Sequence, residues 1–210
     1  MRTRCIVLAL ATLVPVAGCH QGPGATDLLG RYQQLHEAGD ADGLLALHTP
    51  ETVFLLPGQD PIRGKEALRG LLEWDATLGA RLEFRGIRVE GSTIVIDSII
   101  ERSRFFDALG IPEVRYGKGT RFVLEDGLIA ETRPANFDDE TARRIRQAFD
   151  DLLPWLSDNH PDDMARLLPG GKFRYDAESA RRWLELLAEW RAAKDAGPSG
   201  QTSLSRNSTS

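Results

Sequence analysis

Arg81-Leu82-Glu83-Phe84-Arg85-Gly86-Ile87-Arg88-Val89-Glu90-Gly91-Ser92-Thr93-Ile94-Val95-Ile96-Asp97-Ser98-Ile99-Ile100-Glu101-Arg102 is the stretch that decides the fold. Apolar and charged residues alternate up to Glu90, and the pattern turns tightly at Gly91-Ser92. It resumes as an Ile- and Val-rich run from Thr93 to Arg102. A period of two on either side of a short turn predicts two antiparallel strands. Downstream, Phe105 to Ile111 reads as a loop with exposed aromatics, and Val114 to Glu125 as a third strand. Asp126-Gly127 is the strongest hairpin signal in the chain, returning as a fourth strand from Leu128 to Arg133.

Upstream of the strands the period changes to that of helices. Thr26 or Asp27 can cap a helix carrying Leu28, Tyr32 and Leu35, ended by Gly39. Asp40 can cap a shorter helix with Leu44, Leu45 and His48, stopped by Pro50. Thr52 to Leu56 is a short β run, and the turns Pro57-Gly58 and Asp60-Pro61 follow. Gly64 opens a third helix with Leu68, Leu71, Leu72 and Trp74, ended by Gly79. Helices followed by a run of antiparallel strands give an α+β fold, not a parallel α/β sheet.

This order resembles the nuclear transport factor 2-like (NTF2-like) superfamily, also called SnoaL-like. The residues that carry the resemblance are Gly39-Asp40-Ala41-Asp42, Arg63-Gly64-Lys65-Glu66-Ala67-Leu68, Glu125-Asp126-Gly127-Leu128-Ile129 and Phe137-Asp138. The resemblance implies a curved sheet wrapped on the N-terminal helices, a cone-shaped pocket over residues 26–138, and a homodimer through the outer sheet face. It also implies a comparison with limonene-epoxide hydrolase-like enzymes. Those place an Arg and an Asp two apart on one strand, a second Asp near the last strand, and a Tyr and Asn on the first. The corresponding segments here are Glu101-Arg102-Ser103-Arg104, Arg133-Pro134-Ala135-Asn136-Phe137-Asp138, and Val53 with Leu55. Only the Arg has a match, so that mechanism is not expected.

Strict alternation along the strands places Arg102 in the pocket with Ser98 and Ile100, and turns Asp97 and Glu101 outward. Across the hairpin it groups Arg121 with Thr132 and sets Glu131 on the opposite face. The expected pocket residues are therefore Arg102, Arg121, Ser98, Ile100, Thr132 and Trp74, an apolar site with arginine as the polar group. A one-residue slip reverses these assignments. In that register Asp97, Glu101 and Glu131, with His48, become the candidate catalytic groups. The expected function is binding of a small apolar molecule. The alternatives are an epoxide hydrolase, isomerase or lyase, and a non-catalytic adaptor in an envelope complex.

At the N-terminus, Met1 to Arg4 is basic, Ile6 to Ala17 is apolar, and Ala17-Gly18 precedes Cys19. This is signal-peptide anatomy, and the small pair before Cys19 resembles the bacterial lipobox. It implies a signal peptide over residues 1–18, lipidation of Cys19, and a tether over residues 19–25. The apolar run is too short to span a bilayer. The protein is expected to be exported and anchored in the cell envelope, on the outer membrane where there is one, because His20 and not Asp follows the Cys.

Cys5 and Cys19 are the two cysteines of the chain. A processed chain would carry no free thiol for disulfides, thiolate metal sites or cysteine nucleophiles. The net charge of −5 becomes more negative when Arg2 and Arg4 leave, which argues against a nucleic-acid partner. The four His show no metal-type spacing, and no motif implies a metal or a cofactor. Residues 139–195 form a helical extension outside the minimal fold. Its apolar stripes need a partner surface, either the mouth of the cone or the outer sheet face. Residues 196–210, rich in Ser and Thr, are expected to be disordered.

Overall fold

The structure is a computed structural model that describes residues 24–196. The signal peptide, Cys5, Cys19, most of the tether and the tail from residue 197 lie outside the described residues. Helices α1 (Gly24–Ala38) and α2 (Ala41–Ala46) are followed by strands β1 (His48–Phe54) and β2 (Ile62–Arg63) and by helix α3 (Gly64–Leu78). The long strands β3 (Arg81–Glu90) and β4 (Thr93–Arg102) follow, then helix α4 (Arg104–Ala108). Strands β5 (Val114–Tyr116), β6 (Thr120–Glu125) and β7 (Leu128–Arg133) complete the sheet. Its order is β2-β1-β7-β6-β4-β3, with β5 paired to β4; every pairing is antiparallel except β1 with β7. This is a mixed α+β fold with a curved open sheet.

The third strand expected over Val114–Glu125 is interrupted at Gly117-Lys118-Gly119 and becomes β5 and β6. The expected loop after β4 instead holds α4. Ser103 caps it by accepting from the backbone N–H of Phe106, and Phe105 is buried, not exposed. His48 does not end α2; it begins β1.

Two irregularities decide which side chains face inward. Gly86 sits inside β3 at φ 67°, and a Cβ there would come within 2.5 Å of Asp97 Oδ2. Opposite this kink, β4 changes partner: Thr93–Ile96 pair with β6 and Ile99–Glu101 with β5. Alternation breaks at that place. Ile94 and Ile96 belong to the inner core, and so does Ile99 three residues later. The second irregularity is a bulge in β7, where Val123 pairs with Glu131 but Leu124 with Ile129, leaving Ala130 extra. Ile129 and Thr132 therefore both point inward.

The extension folds as α5 (Asp139–Asn159), α6 (Pro161–Leu167) and α7 (Ala177–Ala196). Asp138 caps α5 through the Thr141 N–H, and the helix continues through Pro154 to Asn159. Its hydrophobic face, with those of α7 and α4, encloses a second core around Trp183, Leu152, Leu156, Leu186 and Leu187. Helix α7 lies on α3 and α4, so the extension covers the mouth of the cone and leaves the outer sheet face open. Gly70 of α3 permits the approach of residues 173–175, since a Cβ there would lie 2.5 Å from the Tyr175 carbonyl oxygen. No described helix is long and apolar enough to cross a membrane.

Candidate functional site

The sheet, α1, α3, α4 and the extension enclose a cavity of about 520 Å³, within the range typical of small-molecule sites. Its wall is mostly apolar, with one cluster of titratable groups formed by Glu101, Tyr116, His36, Asp75 and Tyr32.

Glu101 reaches the cavity because β4 has changed parity at Asp97-Ser98. The Tyr116 hydroxyl on the neighbouring β5 donates to Glu101 Oε2 at 2.6 Å. Among the described residues no cation pairs with Glu101. Burial lifts its carboxyl from 4.5 to about 7, and the charge of Asp75 adds to this. The Tyr116 hydrogen bond and His36 oppose it only in part. Near neutral pH both forms of Glu101 are populated. Burial and the adjacent carboxylate hold the Tyr116 phenol in its protonated form.

His36 lies on α1 one turn after Tyr32, and the two rings stack with centroids 5.9 Å apart. One imidazole nitrogen, Nδ1, is 3.1 Å from the Ala80 carbonyl oxygen, so it carries the proton and donates. The other, Nε2, is 3.3 Å from Asp75 Oδ2. Burial works against the imidazolium, but Asp75, the Ala80 carbonyl and Glu101 outweigh it and raise the His36 pKa. Burial likewise keeps the Tyr32 and Tyr175 phenols protonated.

Of the residues expected in the pocket, Trp74 and Thr132 line it. Arg102 does not: it reaches across the outer face to Glu113 at 2.6 Å and lies 3.6 Å from Glu83. Arg121 is exposed on that face, opposite Arg133. Ile100 is buried but not on the cavity wall, and Ser98 Oγ donates to the Tyr116 carbonyl at 3.3 Å. The reason is the parity change beside Gly86, which alternation cannot anticipate. Arg104, at the position of the missing Asp, donates to the carbonyls of Thr77 and Leu78 at the end of α3.

Of the four candidate catalytic residues, Glu101 alone lines the cavity. Asp97 pairs with Arg88 at 2.7 Å and Glu131 with Arg133 at 3.1 Å, both on the outer side. His48 is fully buried behind the wall, bonded through Nδ1 to the Leu44 carbonyl at 2.9 Å. Burial pushes its pKa down to about 4, so it is neutral. The reading from sequence missed Tyr116, Asp75 and His36. The signal for His36 was its spacing of four from Tyr32 on an amphipathic helix. Among the described residues no group of three or more His, Cys, Asp or Glu is placed to hold a metal ion.

A curved α+β sheet backed by helices, enclosing an apolar cavity with a carboxyl–phenol pair, defines a cone-shaped pocket protein. Residues 29–132 match the family model of the SnoaL-like domain. Among solved structures the chain is similar to SalBIII, an epoxide hydrolase/cyclase-like enzyme in pyran ring formation in the polyether salinomycin. The two are 16% identical with a TM-score of 0.48, over 55% of this chain and 92% of that one. It is also similar to TsrD from Streptomyces laurentii, at 24% identity and TM-score 0.45, over 58% and 92% of the two chains. A third is an LEH-like epoxide hydrolase of M. tuberculosis, at 17% identity and TM-score 0.46, over 61% and 93%. No curated protein sequence matches the chain.

Proposed function

We propose that the cavity binds a small, largely apolar molecule bearing one oxygen function, and that Glu101 exchanges a proton with it. The observation that carries this reading is a buried carboxyl poised at about 7, facing an apolar cavity and hydrogen-bonded to a phenol. A general base or acid works best when its pKa lies near the working pH. Ionised Glu101 removes a proton from a carbon beside the ligand's carbonyl, and the protonated form returns it. Tyr32, protonated, supplies a donor for the ligand oxygen. Asp75 accepts from His36 when that imidazole is doubly protonated, a form that the raised His36 pKa favours. Perturbed groups of this kind mark functional sites more often than ordinary ion pairs do.

The wider reading is a protein exported and held to the cell envelope through lipid on Cys19, with a homodimer through the outer sheet face. It is supported by the N-terminal sequence and the family resemblance alone.

The test is α-proton exchange in D2O with 2-tetralone, a cyclic ketone of suitable size, followed by NMR. The expected result is deuteration above the buffer rate that is abolished in Glu101→Gln. Exchange that is equal in the folded variant and the native protein would remove Glu101 from the reaction.

A further inference from the structure

All eight Phe and all three Tyr of the chain line this one cavity. In the extension Leu152, Leu156, Leu167, Leu186 and Leu187 pack helix against helix with Trp155, Trp183 and Trp190, out of contact with the cavity, whereas Phe149, Phe173 and Tyr175 line it together with the single aliphatic Ile145. Leu and Trp side chains already fill the contacts between those helices, so ring faces turned toward open space need another explanation.

The rings form a connected lining. From Tyr116, which holds Glu101, it runs to Phe137 at 4.7 Å, to Phe106 at 6.0 Å and to Phe105 at 5.5 Å. There it meets Phe173 at 6.0 Å and Phe149 at 6.4 Å, which lie 5.9 Å from each other. Trp74, beside Asp75, touches both Phe173 and Tyr175 edge-on. The loop carrying Phe173 is fastened to the β1–β2 loop. Gln59 Oε1 accepts from the Phe173 N–H at 3.0 Å, and Lys172 pairs with Asp60. Three rings from outside the SnoaL-like domain are thus fixed against the cavity before any ligand arrives.

We propose that the extension is the specificity-determining wall of the site: Phe149, Phe173 and Tyr175 select a ligand whose apolar end is a flat, unsaturated ring, with its oxygen at the Glu101–Tyr116 end. This rests on the reading of the cavity as a small-molecule site. Edge-to-face and offset-stacked ring contacts add to plain burial, and only a flat π-system can make them. A saturated ring of the same skeleton has at least as much apolar surface to bury, so the hydrophobic effect alone does not prefer the aromatic one.

The experiment compares 2-naphthol with decahydro-2-naphthol on the full-length protein by isothermal titration calorimetry. We expect 2-naphthol to bind about tenfold more tightly, the sum of a few ring contacts. The preference should fall to near parity in the Phe149→Leu/Phe173→Leu double variant. Equal affinity of the two alcohols for the native protein would overturn the proposal while leaving the small-molecule reading intact. A preference that persists in the folded double variant would also overturn it, by moving selection to the domain. If neither alcohol binds, both readings fall. Intermolecular NOEs from 2-naphthol, measured on the native protein, keep the test open if the variant does not fold. Contacts to Phe149 and Phe173 support the proposal, and contacts confined to the sheet rings contradict it.

Discussion

Glu101 and Arg102 are adjacent in the chain and lie on opposite sides of one sheet. Outside, charges are paired and half-exposed: Arg102 with Glu113 and Glu83, Arg88 with Asp97, Arg115 with Glu113, Arg133 with Glu131. Such pairs contribute little each, because water screens them. Inside, the Glu101 carboxyl forms no salt bridge among the described residues and meets a phenol in a mostly apolar wall. The same side-chain type is a screened surface group on one face and a buried carboxyl with a raised pKa on the other. Position relative to the Gly86 kink makes the difference.

The largest effect should come from the inner face. Glu101→Gln should lower proton exchange by about 10²- to 10⁴-fold, the usual worth of a positioned acid–base group. An equal loss on the outer face, in Glu113→Gln, would erase the contrast.

The second effect is on stability, with the opposite sign. Between pH 4.5 and about 7 the folded protein holds a proton on Glu101 that the unfolded chain has released. Stability therefore falls as pH rises through that window, by about 3 kcal/mol in all. Glu101→Gln should be more stable than the native protein by about 3 kcal/mol at pH 8 and equal to it at pH 4. Urea unfolding at the two pH values checks this.

Tyr116→Phe sharpens the comparison further. The phenol's hydrogen bond holds the Glu101 pKa down against burial. Its loss should shift the Glu101 titration, and the pH–rate profile for exchange, upward. A downward shift would mean that the phenol stabilises the protonated carboxyl.

The smallest effect belongs outside. Arg102→Ala should cost no more than about 1 kcal/mol in urea unfolding, because its partners are exposed, and should leave the exchange rate unchanged.

The elements that repeat locally were legible in the sequence. The α+β order, the third helix ending at Gly79 and the Asp126-Gly127 hairpin follow from period and turn chemistry. The inner face was not legible, because alternation carries orientation only as far as the next irregularity. Gly86 reads as an ordinary strand glycine, its positive φ being visible only in the structure, and Ala130 carries no mark of a bulge. Two such shifts moved Arg102 and Arg121 out of the cavity, brought Glu101 in, and set Thr132 beside Phe122. Helix α4 was hidden by Phe105-Phe106, which read as exposed aromatics although Ser103 was an available cap. The role of Phe149, Phe173 and Tyr175 depends on contacts far apart in the chain, which no local pattern encodes.

The most direct test of the contrast between the two faces is the titration of the Glu101 side-chain carboxyl, followed by 13C NMR in native protein and assigned with Glu101→Gln. The structure predicts a midpoint of about 7 for this group, well above the ordinary value of about 4.3 for a glutamate in water. A Glu101 midpoint at that ordinary value would place its carboxyl in water and contradict the account.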